Sequence, residues 1–135
     1  MLGGASRPGR PCSRWARWRA WLSERVAAHG GHPLHVFDAL AERFAAPDYR
    51  GCVAITTMTE IADPASPARL MAALHKTRVI DLLEQLLRTA DIPHPADRAK
   101  QFALLMDGAI VTALREGTPD AAWRARTIAE SLLAA

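Results

Sequence analysis

Proline punctuates the second half of the chain at three points: Ser66-Pro67, His94-Pro95 and Thr118-Pro119. In each, a residue at a cap position precedes a proline where a helix can begin. The first helical turn has no use for the missing N–H, and the ring already holds φ near its helical value. Ser66 and Thr118 are good caps, His94 is a poor one, and Asp120 adds an acid at the positive end of the last segment. This punctuation predicts helices over 67–90, 95–116 and 119–134. The first of these carries Leu70, Leu74, Leu82, Leu83, Leu86 and Leu87 and is long enough to be the scaffold of a domain.

The first half reads the same way. Trp15, Trp18, Leu22, Val26 and His29 recur at spacings of three and four, which predicts a helix over 13–29, capped by Ser13 and stopped by Gly30-Gly31. A second helix over 33–46, opened by Pro33, puts Val36, Phe37, Leu40 and Phe44 on one face. A third over 52–62 begins with Cys52, Val53, Ala54 and Ile55, apolar almost all round. Its β-branched residues would suit a strand, but no second segment could pair with it, so a buried helix is expected. Residues 1–13 are crowded with Gly, Pro and Ser and are expected to be disordered, leaving 14–135 as one all-α domain of about six helices.

Composition agrees: the chain is 50% apolar but only 6% aromatic, with Leu and Ala dominating, residues that lose little on entering a helix. Cys12 and Cys52 have no metal-ligand or redox spacing and are expected as reduced thiols. With neither a signal-peptide pattern nor a membrane-length apolar run, the expectation is a cytoplasmic protein without membrane association. The net charge of +3 is unevenly placed. Residues 1–32 hold six Arg and one Glu, whereas 33–135 hold 11 basic and 13 acidic residues, so the body lacks the footprint of a nucleic-acid binder.

No nucleophile elbow, phosphate loop or zinc-protease motif occurs, and nothing pairs the acids Glu60 and Asp107, so neither an enzyme nor a cofactor is expected. His29, His32 and His35 are spaced by three, but Gly30-Gly31 and Pro33 interrupt any shared helix, which argues against a metal face. Trp15, Trp18 and Trp21, interleaved with Arg, could meet nucleic acid or an anionic membrane surface. More simply, the Trp edge packs on the body and the Arg side chains are solvated. His75, midway along the long helix, is either a polar anchor or a hydrogen-bonded core histidine.

Four segments in order, Asp48-Tyr49-Arg50-Gly51-Cys52, Asp63-Pro64-Ala65-Ser66-Pro67-Ala68-Arg69, His75-Lys76 and Leu104-Leu105-Met106-Asp107-Gly108-Ala109, give the chain from about Trp21 onward a pattern that resembles the C-terminal regulatory domain of TetR-family transcriptional repressors. That resemblance implies a ligand-sensing, dimer-forming domain. It implies a pocket for a small apolar ligand among Phe37, Leu40, Phe44, Ile55, Met58, Thr59, His75, Leu104 and Ile110, residues that could equally fill a core, with Met58 and Met106 suited to a permissive site. It also implies that the last two helices meet their copies in a four-helix bundle through Leu105, Gly108, Ala109, Thr112, Trp123, Ile128 and Leu132; the alternative is that they only close the monomer core. The family's N-terminal helix-turn-helix has no counterpart here, so DNA would be a partner only with such a domain restored. A stand-alone binder, or a module that titrates a full-length relative by mixed dimerisation, is the alternative role.

Overall fold

The computed structural model describes residues 10–134, which form six α-helices and, among the described residues, no strand: α1 Arg10–Ala28, α2 His35–Phe44, α3 Val53–Glu60, α4 Pro67–Thr89, α5 Pro95–Glu116 and α6 Asp120–Ala134. Of the segment expected to be disordered, residues 1–9 lie outside the described residues. Residues 10–13 are the opening turn of α1, so Ser13 lies inside the helix and is not its cap. Pro11 is compatible with that earlier start, since proline is tolerated in a first turn.

The stops are made by backbone geometry. Gly31 N–H reaches Val26 O at 2.9 Å and Gly30 N–H reaches Ala27 O at 3.1 Å, with Gly30 at φ 122°, so the paired glycines close α1 in a Schellman turn. Asp91, at φ 58°, does the same for α4: Ile92 N–H bonds Leu87 O and Asp91 N–H bonds Arg88 O, both at 3.0 Å. The starts differ in detail from expectation. Ser66 stands at the N-cap of α4, yet its side chain makes no cap bond. Pro33 lies in a turn ahead of α2, where Val36 N–H bonds its carbonyl. Pro119 similarly precedes α6, and Thr118 Oγ1 accepts from Asp120 N–H at 3.3 Å.

One main core joins α1, α2, α4, α5 and α6. Leu22 and Val26 meet Val36, Phe37, Leu40 and Phe44, and beyond them Val79, Leu83, Leu87, Phe102 and Met106, with small residues such as Ala121, Ala122, Ala125 and Ala129 letting α6 approach closely. The α4 stripe is not the one the leucines suggested. Ala72, His75, Val79, Leu83 and Leu87 face inward, whereas Leu70 and Leu74 are exposed, because apolar identity alone does not choose between two faces that both carry leucine. Nor is α3 a buried helix: Ala54 is its one buried residue, and it lies as a strap along α4. A second small cluster, Trp15, Ala54 and Ala72 with Cys52, Met58 and Met71 around it, fills the space beneath this strap. Among the described residues no helix is long and apolar enough to cross a membrane.

Candidate ligand-binding cavity

Where α1 crosses α4, the packing leaves a cavity of about 220 Å³. Its floor is made by Leu40, Phe44 and Ile110, from α2 and α5, and its roof by Trp15 and Trp18 from α1. The turn holding Gly51 and Cys52 closes one side, with Tyr49 and Val53, and α4 supplies His75 and Lys76. Gly51 sits at φ 88°, a left-handed conformation that glycine adopts without strain, and a Cβ there would come within 3.3 Å of Leu114. A neighbouring cleft of about 380 Å³ shares Arg14, Trp15 and Val53 and extends under α3 to Pro67 and Met71.

His75 is the centre of the wall. The Trp15 indole stacks on its ring, 5.3 Å between centroids and 25° between planes, and Trp18 meets it edge-on at 5.7 Å. Arg19 Nη1 lies 2.7 Å from His75 Nδ1. A guanidinium can only donate, so Nδ1 is the acceptor and the proton of the neutral ring is on Nε2. Burial, and then the positive charges of Lys76 and Arg19, lower the imidazole pKa to about 4, so the ring is neutral at physiological pH. The two sequence readings of His75 therefore meet in one residue, hydrogen-bonded, buried and part of a cavity wall.

The other polar groups are held from behind. Lys76 Nζ donates to Asp107 Oδ1 at 2.6 Å, joining α4 to α5, and this is the setting of one acid the sequence singled out; the other, Glu60, is exposed at the end of α3. Tyr49 donates its hydroxyl to Ile110 O at 2.5 Å, and burial first of all pushes its pKa up to about 12. Arg43 lies over the Tyr49 ring at 5.6 Å and pairs with Asp48 at 3.1 Å.

Of the nine residues expected in a pocket, the structure brings Leu40, Phe44, His75 and Ile110 to this cavity. Phe37 is instead fully buried against Phe102, 5.6 Å between rings. Ile55 packs against the main core and Met58 beside the small cluster, while Met106 is buried in the main core. Thr59 is exposed, its hydroxyl bonded to Thr56 O, and Leu104 is 74% exposed on the outer face of α5. The rest of the lining lay outside the expected set: Arg14, Trp15 and Trp18 from α1, Arg43, the segment Tyr49 to Val53 apart from Arg50, and Lys76. The Tyr49–Cys52 turn and the His75-Lys76 pair had been noticed only as marks of resemblance.

On the opposite side, α5 and α6 form a shallow groove lined by Leu104, Leu105, Gly108, Ala109, Thr112 and Ile128, with Arg124 at its edge. Five of the seven residues expected at a dimer interface lie here. Trp123 is exposed outside the groove and Leu132 is half-buried. The sequence argues against a shared metal face for His29, His32 and His35 because glycine and proline interrupt it, and His32 is not in the group the structure forms. The α1–α2 turn nevertheless brings His29, His35 and Asp38 together, with donor atoms within 4.8 Å of one another, although Arg126 also holds Asp38.

Comparison with known proteins points to one class, helix-turn-helix transcriptional regulators. The relatives found are the HTH-type transcriptional regulator YjdC of Escherichia coli (strain K12) and its namesake in Shigella flexneri, each 30% identical over 97 residues, which is 72% of this chain and 51% of the relative. The chain thus spans about half the length of the curated relatives it matches. No family model and no solved structure matches it.

Proposed function

We propose that this chain is the ligand-sensing and pairing part of a transcriptional regulator of the TetR kind, with the cavity beneath α1 as its sensing site and the α5–α6 face as its contact with a second copy. The likeness to helix-turn-helix regulators supports the regulatory role, and the order of motifs supports the family. The observation that carries the sensing reading is the cavity roof. Trp15 and Trp18 belong to the first helix, and both rest on His75 across the space a ligand would enter. A molecule seated there meets α1 directly and shifts whatever is attached to the amino-terminal end of that helix, a rigid-body route from ligand to reader.

The site reads as one of binding and not of catalysis. The Nδ1 lone pair of His75 is taken by Arg19, so the ring offers a donor, Nε2–H, and no base. Amide hydrogen exchange with and without a bound ring-sized probe tests the coupling. Protection along α1 is expected to change on binding, and a bound probe that leaves α1 unaltered would refute it. Pairing with a longer relative through the same α5–α6 face is the second reading, and mixed dimers on co-expression would favour it.

A further inference from the structure

We infer that the molecule this cavity accepts is a small aromatic carboxylate, a single ring bearing one negative charge. The inference rests on the reading of the cavity as a binding site and goes beyond it in naming the ligand's chemistry. Two features of the wall carry it, its polarity and its shape.

The titratable side chains on the wall are Arg14, Arg43, Lys76, His75, Tyr49 and Cys52, with no Asp or Glu among them. The Tyr49 hydroxyl proton is already spent on Ile110 O, and Arg19 holds His75 with Nε2–H as the ring's donor. The nitrogen groups offered to a guest are therefore donors, three of them cationic, and the complement of such a wall is an acceptor that carries negative charge. Asp48 and Asp107 stand behind Arg43 and Lys76, outside the lining. They neutralise two of the three cations and hold their side chains in place, so one positive charge remains to be matched by the guest.

The remaining wall is aromatic and aliphatic. Trp15, Trp18, Phe44 and Tyr49 present rings, and Leu40 and Ile110 the floor. A bare inorganic anion would leave these surfaces without a partner. A cavity of ~150 Å³ is enough for benzene, so about 220 Å³ holds a ring with a carboxylate and a short spacer but not a nucleotide or a long acyl chain.

Four probes of similar size decide the matter: benzoate, phenylacetate, benzyl alcohol and benzylamine, each titrated into the whole chain at fixed ionic strength and followed by calorimetry and by the change in tryptophan fluorescence, to which Trp15 and Trp18 on the cavity wall contribute. The carboxylates are expected to bind at least about tenfold more tightly than benzyl alcohol, the scale of a charge-assisted hydrogen bond, and benzylamine most weakly. Arg14→Gln, on an exposed position of α1, and Lys76→Gln should each weaken phenylacetate about threefold or more while leaving benzyl alcohol unchanged. Benzyl alcohol or benzylamine binding as tightly as the carboxylates overturns the charge assignment and leaves the cavity as a binding site. If none of the four binds, the cavity is not such a site, and both readings fall.

Discussion

Trp15 lies flat against His75, 5.3 Å from centroid to centroid, across 60 positions of sequence that place one residue near the start of α1 and the other midway along α4. The contact buries an ionisable ring under an indole, and the consequence is a pH dependence of stability. The imidazole pKa falls from 6.5 to about 4 on folding, through burial and then the charges of Lys76 and Arg19. Below pH 6.5 the unfolded chain takes up a proton that the folded chain refuses. The contribution is therefore complete above 6.5, is lost as pH falls from 6.5 to about 4, and is level below that. Denaturant unfolding should show the protein about 2 kcal/mol less stable at pH 5 than at pH 7. His75→Phe should lack most of that difference, and an equal loss in the variant would show that other groups cause it.

Asp38 ties α2 to α6. Its Oδ2 accepts from His35 Nδ1 at 2.5 Å and also from the Arg126 guanidinium. Burial by itself would raise the carboxyl pKa, but the bonds from His35 and Arg126 together outweigh it and hold it below 3.8. A depressed carboxylate contributes stability above its unfolded pKa and loses it as pH falls further. Asp38→Asn should cost about 1–3 kcal/mol at neutral pH, and the gap to the wild type should narrow below pH 3.8. A constant gap from neutral to acid pH would mean that the carboxylate's charge contributes nothing.

Legibility in the sequence followed the range of the interactions. The ends of α5 could be read residue by residue, because Pro95 opens it and Gly117 closes it through its own φ of 74°. Such signals act within one turn. The inward face of α2, from Val36 to Phe44, was equally plain, since its periodicity is unambiguous. The cavity was not, because it is made by contacts such as Trp18 with His75 and Tyr49 with Ile110, each spanning more than fifty residues. Leu104 shows the limit from the other side. It is apolar and helical and was expected in a pocket, yet its register turns it outward beside Gly108.

The Tyr49–Ile110 hydrogen bond anchors the cavity's side wall to α5, and its short length makes it a sensitive probe. Tyr49→Phe keeps the ring contact with Phe44, 5.0 Å between centroids, and removes only the donor. The expected loss is about 1 kcal/mol in denaturant unfolding. In the wild type, ultraviolet titration of Tyr49, the one tyrosine in the chain, should show ionisation only near pH 12. Ordinary ionisation near pH 10 would mean that the phenol is open to water.

The α5–α6 face carries the prediction about a second copy. Leu104 is 74% and Ile128 50% exposed, and both line one groove. Gly108 lines the same groove, and within one chain a Cβ there would meet nothing closer than 4 Å. Gly108→Ala should therefore stabilise an isolated subunit by up to ~1 kcal/mol, since alanine is the better helix former. If two copies meet through this groove, the same methyl group stands at the contact and loosens it. Subunit stability and association should then move in opposite directions, unfolding reporting the first and light scattering across a dilution series the second. Ile128→Asp should give a folded monomer, with association weakened about thirtyfold or more, as expected for a residue central to an interface. A wild-type chain that stays monomeric at every concentration would mean that α5 and α6 pair only with each other, and a Gly108→Ala variant that associates as tightly as the wild type would mean that the copies meet through another face.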